Sequence, residues 1–337
     1  MDTAQHLGIK EFWTSWDTPS EQPVLFIQQL LDFTQAYVMV VVLLLGIFGN
    51  ILSFVIFFRV RKRADACVQY LSCLAVSDTG VILIIGVTDW FAFGLNHITN
   101  GAYGFNLMLY NDATCKFVAG VWHVFEVISG WIIVAFSTER AYVVWFPLKR
   151  ANITPKIRQN VLLTIFLTSV VLSLHRFWLL ENIQSTPVLC FYKTNPVVSA
   201  ILYQFDISLY AYAPFILILF ANISILIAIS LSKAKHLGKN REKTRQDGRL
   251  LVSLMSVSTL YIVLLLPFAA HFTYITEAKD IGEEQSLFLW FLMKVLTLVS
   301  VFNYCFNFII YGCTLPFFRQ EIKKMLATHG RKRMGVA

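Results

Sequence analysis

Seven long apolar runs alternate with short polar connections along the chain, at 35–58, 68–93, 113–146, 158–179, 199–231, 249–275 and 287–313. Each exceeds the roughly 20 residues that carry a helix across a hydrocarbon core of about 30 Å. The third and fifth runs are longer than the crossing needs, which predicts tilt or projection into water. The pattern predicts an all-α integral membrane protein, a seven-transmembrane helix bundle over residues 35–313. Residues 1–34 precede it as an extracellular segment, and residues 314–337 follow as a cytoplasmic tail. In that tail, "LPFFRQEIKKML" sets Phe317, Phe318, Ile322, Met325 and Leu326 against Lys323 and Lys324. This spacing predicts a short amphipathic helix along the membrane surface.

Composition agrees, with 57% hydrophobic and 14% charged residues, against about 25% charged in soluble domains. Most of the 28 Lys and Arg residues fall in alternate connections: Arg59–Arg63, Arg140–Arg158, Lys233–Arg249 and the stretch after Arg319. The positive-inside rule makes that face cytoplasmic and places the N-terminus outside. The net charge of +8 is thereby accounted for by topology, and no nucleic-acid partner is expected. The start of the chain lacks a basic stretch followed by an apolar core, so no cleavable signal peptide is expected. The opposite face is acidic, with Asp17, Glu21, Asp89, Asp112, Glu181, Asp280 and Glu284 among its charges. Such a collar would draw in a cationic ligand; ordinary surface charge is the alternative. Six cysteines without a Cys-x-x-Cys give no zinc framework.

Polar residues inside apolar spans are costly and mark function. Asn50 lies in "GIFGNIL" of the first span, Asp78 in "LAVSDTG" of the second, and "STERAY" closes the third. Pro214 and Pro267 interrupt the fifth and sixth, and "NFIIY" closes the seventh. In order and placement this set resembles the rhodopsin-like (class A) G-protein-coupled receptors, of the neuropeptide-receptor type, over about residues 35–327.

The resemblance implies a disulfide from Cys115, at the outer tip of the third span, to Cys190 in the second outer loop. The family's spacing from that first cysteine to its arginine lands on Arg140. It also implies a G-protein switch in which Arg140 pairs with Glu139 and with an acid at the inner end of the sixth span, here Asp247, with Tyr311 as a further element. Simple snorkelling of Arg140 is the alternative. At mid-membrane it implies a sodium ion held by Asp78, Ser129, Asn303 and Asn307, an all-oxygen set that suits a hard cation. A protonated Asp78 held by amide hydrogen bonds is the alternative. No resident cofactor is expected beyond this allosteric sodium ion. The chain departs from the family pattern in several places: Ala141 in place of Tyr, Leu265 in place of Trp, Phe308 in place of Pro, Asn222 in place of Tyr, and no Trp in the middle of the fourth span. Losing the proline removes the usual cause of a kink, whereas Pro267 still provides a hinge.

For the ligand, the outer half of the bundle is the default pocket. Trp122 and Glu126 lie one helical turn apart on the third span. Glu126 sits about 16 Å below Cys115 and would receive an amine or guanidinium; a protonated, internally bonded carboxyl is the alternative. Asp206 is expected to face the pocket or the sixth span, with His271 and Lys294 on the rim. Val301 stands where a retinal-binding lysine would be needed. The expected function is a plasma-membrane receptor for an extracellular ligand, a small basic neuropeptide, free or amidated, that promotes nucleotide exchange on a heterotrimeric G protein. A receptor of the same fold for a non-peptide small molecule, or a membrane transporter or channel, is the alternative. No catalytic motif is present, and no enzyme is expected.

Overall fold

The computed structural model describes residues 29–60, 68–183, 189–233, 241–277 and 283–333. Among the described residues, six helices are long and apolar enough to cross a membrane: α1 Gln29–Val60, α2 Val68–Ile98, α3 Asp112–Trp145, α4 Pro155–Leu179, α5 Pro196–Leu231 and the apolar part of α6, Gly248–Glu277. The whole of α6 spans Arg241–Glu277 and runs through Pro267 without a break. The seventh crossing is a bent pair, α7 Glu283–Cys305 and α8 Asn307–Thr314, with a 41° change of direction between them. A ninth helix, α9 Pro316–Arg333, follows. Between α4 and α5, β1 Leu180–Ile183 and β2 Leu189–Tyr192 form an antiparallel hairpin with Asn182 opposite Cys190.

Local chemistry sets the helix starts. Asn111 and Thr114 form a reciprocal capping box ahead of α3, at 2.9 and 3.0 Å. Thr154 caps α4 and Asn195 caps α5, each followed by a proline in the first turn, where a missing N–H costs nothing. The bundle centres on α3. Of its most apolar stretch 72% is buried, against 11% for α4, which therefore sits at the periphery. Ile132, Ile133, Leu74, Leu254 and Tyr261 form the packed interior. Leu44, Phe48, Val171 and Phe220 point outward, a surface suited to lipid.

The bend after Cys305 corrects the expectation from sequence. The proline is gone, yet the helix still breaks at Phe306, whose φ of −96° and ψ of 0° leave the helical region. Asn50 supplies a cause. Its Nδ2 donates to the Tyr304 carbonyl at 2.9 Å, the acceptor that the Phe308 N–H would take in a continuous helix. A side chain inserted into the ladder kinks it much as proline does.

Candidate functional site

At the outer end, the disulfide joins Cys115, in the first turn of α3, to Cys190 on β2, with Cα atoms 5.7 Å apart. Two further bonds clamp the hairpin to that helix start: the Asn182 N–H donates to Asp112 Oδ1 at 2.8 Å, and its Nδ2 to the Leu109 carbonyl at 2.8 Å. The hairpin is thus pinned to α3 by one covalent and two polar links.

Beneath the hairpin lies a buried ionic network around Asp206, which is 2% exposed. Arg176 of α4 donates to Asp206 Oδ2 through Nε at 2.9 Å, and its second guanidinium nitrogen approaches to 2.7 Å. Arg176 also reaches the Ala119 carbonyl of α3 at 3.2 Å. The Tyr192 hydroxyl donates to the same Oδ2 at 2.5 Å. Burial pushes the Tyr192 phenol above its ordinary range, so it stays a donor. On Oδ1, His175 Nε2 approaches to 3.0 Å and His123 Nε2 to 3.3 Å. Asp206 therefore faces α3, α4 and β2, not α6 as the sequence reading allowed. A carboxylate out of water takes the strongest cation within reach, and the planar guanidinium of Arg176 meets it in a fork. The adjacent His175–Arg176 at the outer end of the fourth span was the signal for this network.

The other expected ligand residues are dispersed. Lys294 of α7 lies 3.9 Å from Asp89 of α2 and 3.9 Å from the Phe93 ring centroid. His271 Nε2 contacts the Leu289 carbonyl at 2.9 Å and so ties α6 to α7. Trp122 packs on the cluster that contains Met39, Val81 and Tyr304. Glu126, 7% exposed, sits deeper, within electrostatic reach of Arg176, Tyr210, Tyr261 and Tyr304.

Below this level α5 makes a π turn, Ser208–Tyr212, in which the Ala213 N–H bonds back to Ser208. That register leaves the Leu209 carbonyl without its usual donor. Pro214, lacking an N–H, leaves the Tyr210 carbonyl in the same state. Both are answered from neighbouring helices. Trp131 Nε1 of α3 donates to Leu209 at 3.0 Å, and the Tyr261 hydroxyl of α6 donates to Tyr210. Gly130 makes room, since a Cβ there would lie 2.8 Å from the Tyr261 hydroxyl.

At mid-membrane, Asp78 accepts from Ser129 Oγ at 2.6 Å and from Asn307 Nδ2 at 2.8 Å, one bond to each carboxylate oxygen. Asn303 is buried close by in sequence on α7. The Oδ1 atoms of Asn303 and Asn307 are buried without a hydrogen-bond partner. Three of the four residues expected here are thus directly bonded. Among the described residues, no group of three or more His, Cys, Asp or Glu side chains is placed to hold a metal ion.

At the inner end, Glu139 and Arg140 are both buried. The Glu139 carboxylate is clasped by Arg158 of α4: Nε reaches both oxygens at 2.9 Å, and a terminal nitrogen reaches Oε1 at 2.7 Å. Sequence reading had counted Arg158 only as a topology charge. The Arg140 guanidinium carbon lies 5.7 Å from the Phe136 ring centroid. The side chain of Asp247 lies outside the described residues. Tyr311 is buried, its ring centroid 5.0 Å from that of Phe57. Beyond α3, a 3₁₀ turn, Pro147–Asn152, presents Leu148 at 95% exposure.

Two comparisons with known proteins bear on this arrangement. The family described as "7 transmembrane receptor (rhodopsin family)" matches residues 49–311. The B1 bradykinin receptor of Canis lupus familiaris is 23% identical over 304 residues, covering 85% of this chain and 80% of that protein.

Proposed function

Because the chain belongs to the rhodopsin family of seven-transmembrane receptors, we propose that it receives a basic, peptide-like ligand from outside the cell and promotes nucleotide exchange on a heterotrimeric G protein inside. It is a multi-pass membrane receptor and not an enzyme. We place it in the plasma membrane with the N-terminus outside, on the strength of its basic inner loops.

The observation that carries the ligand reading is an accounting of acids in the outer half. Asp206 is matched by Arg176, and Asp89 faces Lys294. Glu126 lies deeper, beside Trp122 and within electrostatic reach of Arg176, and no ion pair within 4 Å to it occurs among the described residues. A ligand amine or guanidinium that reaches this level would meet a carboxyl among tyrosines, where desolvation strengthens the pairing. A relative named as a receptor for bradykinin, a peptide, supports the peptide class. At the inner face, the buried Arg140 and the exposed Leu148 support the G-protein reading. Leu148 on its turn is an apolar anchor available to a partner.

Asp78, Ser129, Asn303 and Asn307 would hold a sodium ion. Their side chains offer oxygen donors, and the two unpartnered Oδ1 atoms leave lone pairs for a hard cation. When bound, the ion would neutralise Asp78 and draw α2, α3 and the bent α7–α8 pair together.

The test is a screen of basic and amidated peptides on cells expressing the receptor with a promiscuous G protein. The expected result is a response that falls with Glu126→Gln and with Leu148→Asp at equal surface expression. Activation by monoamines alone, or peptide responses indifferent to Glu126→Gln, would refute the ligand reading. Indifference to Leu148→Asp would refute the role given to that loop.

A further inference from the structure

Glu139 and Arg140 are consecutive on α3, so their side chains diverge by about 100° around the helix. The structure turns Glu139 towards α4, where Arg158 engages both carboxylate oxygens with three contacts of 2.7–2.9 Å. Both partners are buried, at 4% and 7% side-chain exposure. Such a pair costs desolvation and is held only by good geometry.

The place of Arg158 is itself informative. It occupies the first turns of α4, after the Thr154 cap and Pro155. A cation there is opposed by the positive end of the helix dipole. Glu139 offsets that opposition and the burial together. Arg158 also lines an open cavity of about 590 Å³ with Pro147, Leu148 and Arg150. One side chain thus joins the acid next to Arg140 to the loop that presents Leu148.

Resting on the G-protein reading above, we infer that Arg158 is a positioning residue for nucleotide exchange: by clasping Glu139 on the α4 side, it weakens the hold of Glu139 on Arg140 and leaves Arg140 readier to engage a G protein. Without the Arg158 guanidinium, the buried Glu139 carboxylate has its adjacent Arg140 as the natural counter-charge. A tighter Glu139–Arg140 pair deepens the resting state, because an equilibrium shifts by the differential interaction of its two states. A partner seated on Leu148 would lie against Arg158, so loop contact and arginine release would be coupled through one residue.

The experiment measures unliganded guanine-nucleotide exchange on a panel of heterotrimeric G proteins from the four α-subunit classes, with full-length receptor at high density in lipid vesicles. Arg158→Gln is expected to lower exchange by roughly fivefold or more, the scale of one charge-assisted bond. Arg158→Lys, which keeps the charge but loses the fork, should fall between the two. Adding Glu139→Gln to Arg158→Gln removes the acid and should restore exchange to at least the wild-type level. Exchange is read per folded, inserted receptor, so a purely structural role of Arg158 would leave it unchanged in Arg158→Gln. The double variant also removes both halves of the buried Glu139–Arg158 pair together, so it remains informative if Arg158→Gln folds poorly. Exchange unchanged or raised in Arg158→Gln, or no rescue by the second substitution, would overturn the inference while leaving the coupling reading intact. Wild-type receptor silent on every G protein would overturn the coupling reading, and this inference with it.

Discussion

The hydroxyl of Tyr261 on α6 donates to the backbone carbonyl of Tyr210 on α5, the acceptor that Pro214 cannot serve because it has no N–H. A local backbone defect in one helix is therefore repaired by a side chain from another. The sixth span carries Leu265 where family members have Trp, and Leu265 is 2% exposed in the core. At and below this level, α5 and α6 are joined by polar contacts through Tyr261, one turn further in, and through Asn222 Nδ2 to Ser258 Oγ at 2.8 Å.

Tyr261→Phe should leave the Tyr210 carbonyl buried without a donor, at a cost of about 1–3 kcal/mol. The measurement is thermal unfolding of the purified receptor in detergent. Pro214→Ala restores an N–H at the position that faces this carbonyl in a regular helix. Combined with Pro214→Ala, Tyr261→Phe should cost much less than it does alone. Additive losses would show that the carbonyl is not the reason for the bond.

Phe308 and Gly49 yield a packing prediction. A Cβ on Gly49 would run into the Phe308 ring, so the aromatic that replaces the family's proline lies directly on the α1 backbone. Gly49→Ala should destabilise by about 1–3 kcal/mol, as overpacking of a full core does, and lower surface expression. Gly49→Ala with Phe308→Ala removes the obstacle and should recover most of the loss. Surface labelling of intact cells reads both outcomes.

These particulars show what the sequence carried and what it withheld. The spans were legible because hydrocarbon demands long apolar runs, and the predicted third span, 113–146, differs from Asp112–Trp145 by one residue at each end. Asp78 with Ser129 and Asn307 was legible through a family pattern. The partners of Asp206 and Glu139 were not. Arg176 and Arg158 lie on α4, the outermost helix, and in the sequence each looks like a charge at the end of a span. Only the fold shows that these ends turn inward. The bend at Phe306 was missed for a related reason. The proline was the visible cue, while Asn50, which takes the Tyr304 carbonyl, is far away in the chain. The inner acid Asp247 remains an expectation from sequence, its side chain lying outside the described residues.

Sodium binding at Asp78 predicts a cation-specific stabilisation. A ligand that binds only the folded state raises stability by RT ln(1 + [L]/Kd). The melting temperature should therefore rise when potassium is replaced by sodium at constant ionic strength. Asp78→Asn and Asn303→Ala should each abolish that difference, whether or not they shift the baseline. A sodium effect that survives both substitutions would place the ion elsewhere, or show only general screening.

The Asp206–Arg176 pair separates a structural role from a ligand-binding one. Asp206→Asn leaves the largely buried Arg176 guanidinium, 15% exposed, with two imidazoles and a phenol around it. Breaking a buried pair from one side costs about 3–5 kcal/mol, so Asp206→Asn should sharply reduce the amount of folded receptor at the surface. Replacing both partners by apolar residues of similar volume, Asp206→Leu with Arg176→Met, is often neutral or stabilising. The double variant should therefore return to the surface with the hairpin still pinned by Cys115–Cys190. If it does so and responds to ligand with unchanged potency, Asp206 serves the packing of α3, α4 and α5 against the hairpin, and the ligand's cation belongs to Glu126. A double variant that folds but loses potency by tenfold or more would return Asp206 to the binding site, with Arg176 as the resting occupant that a ligand must displace.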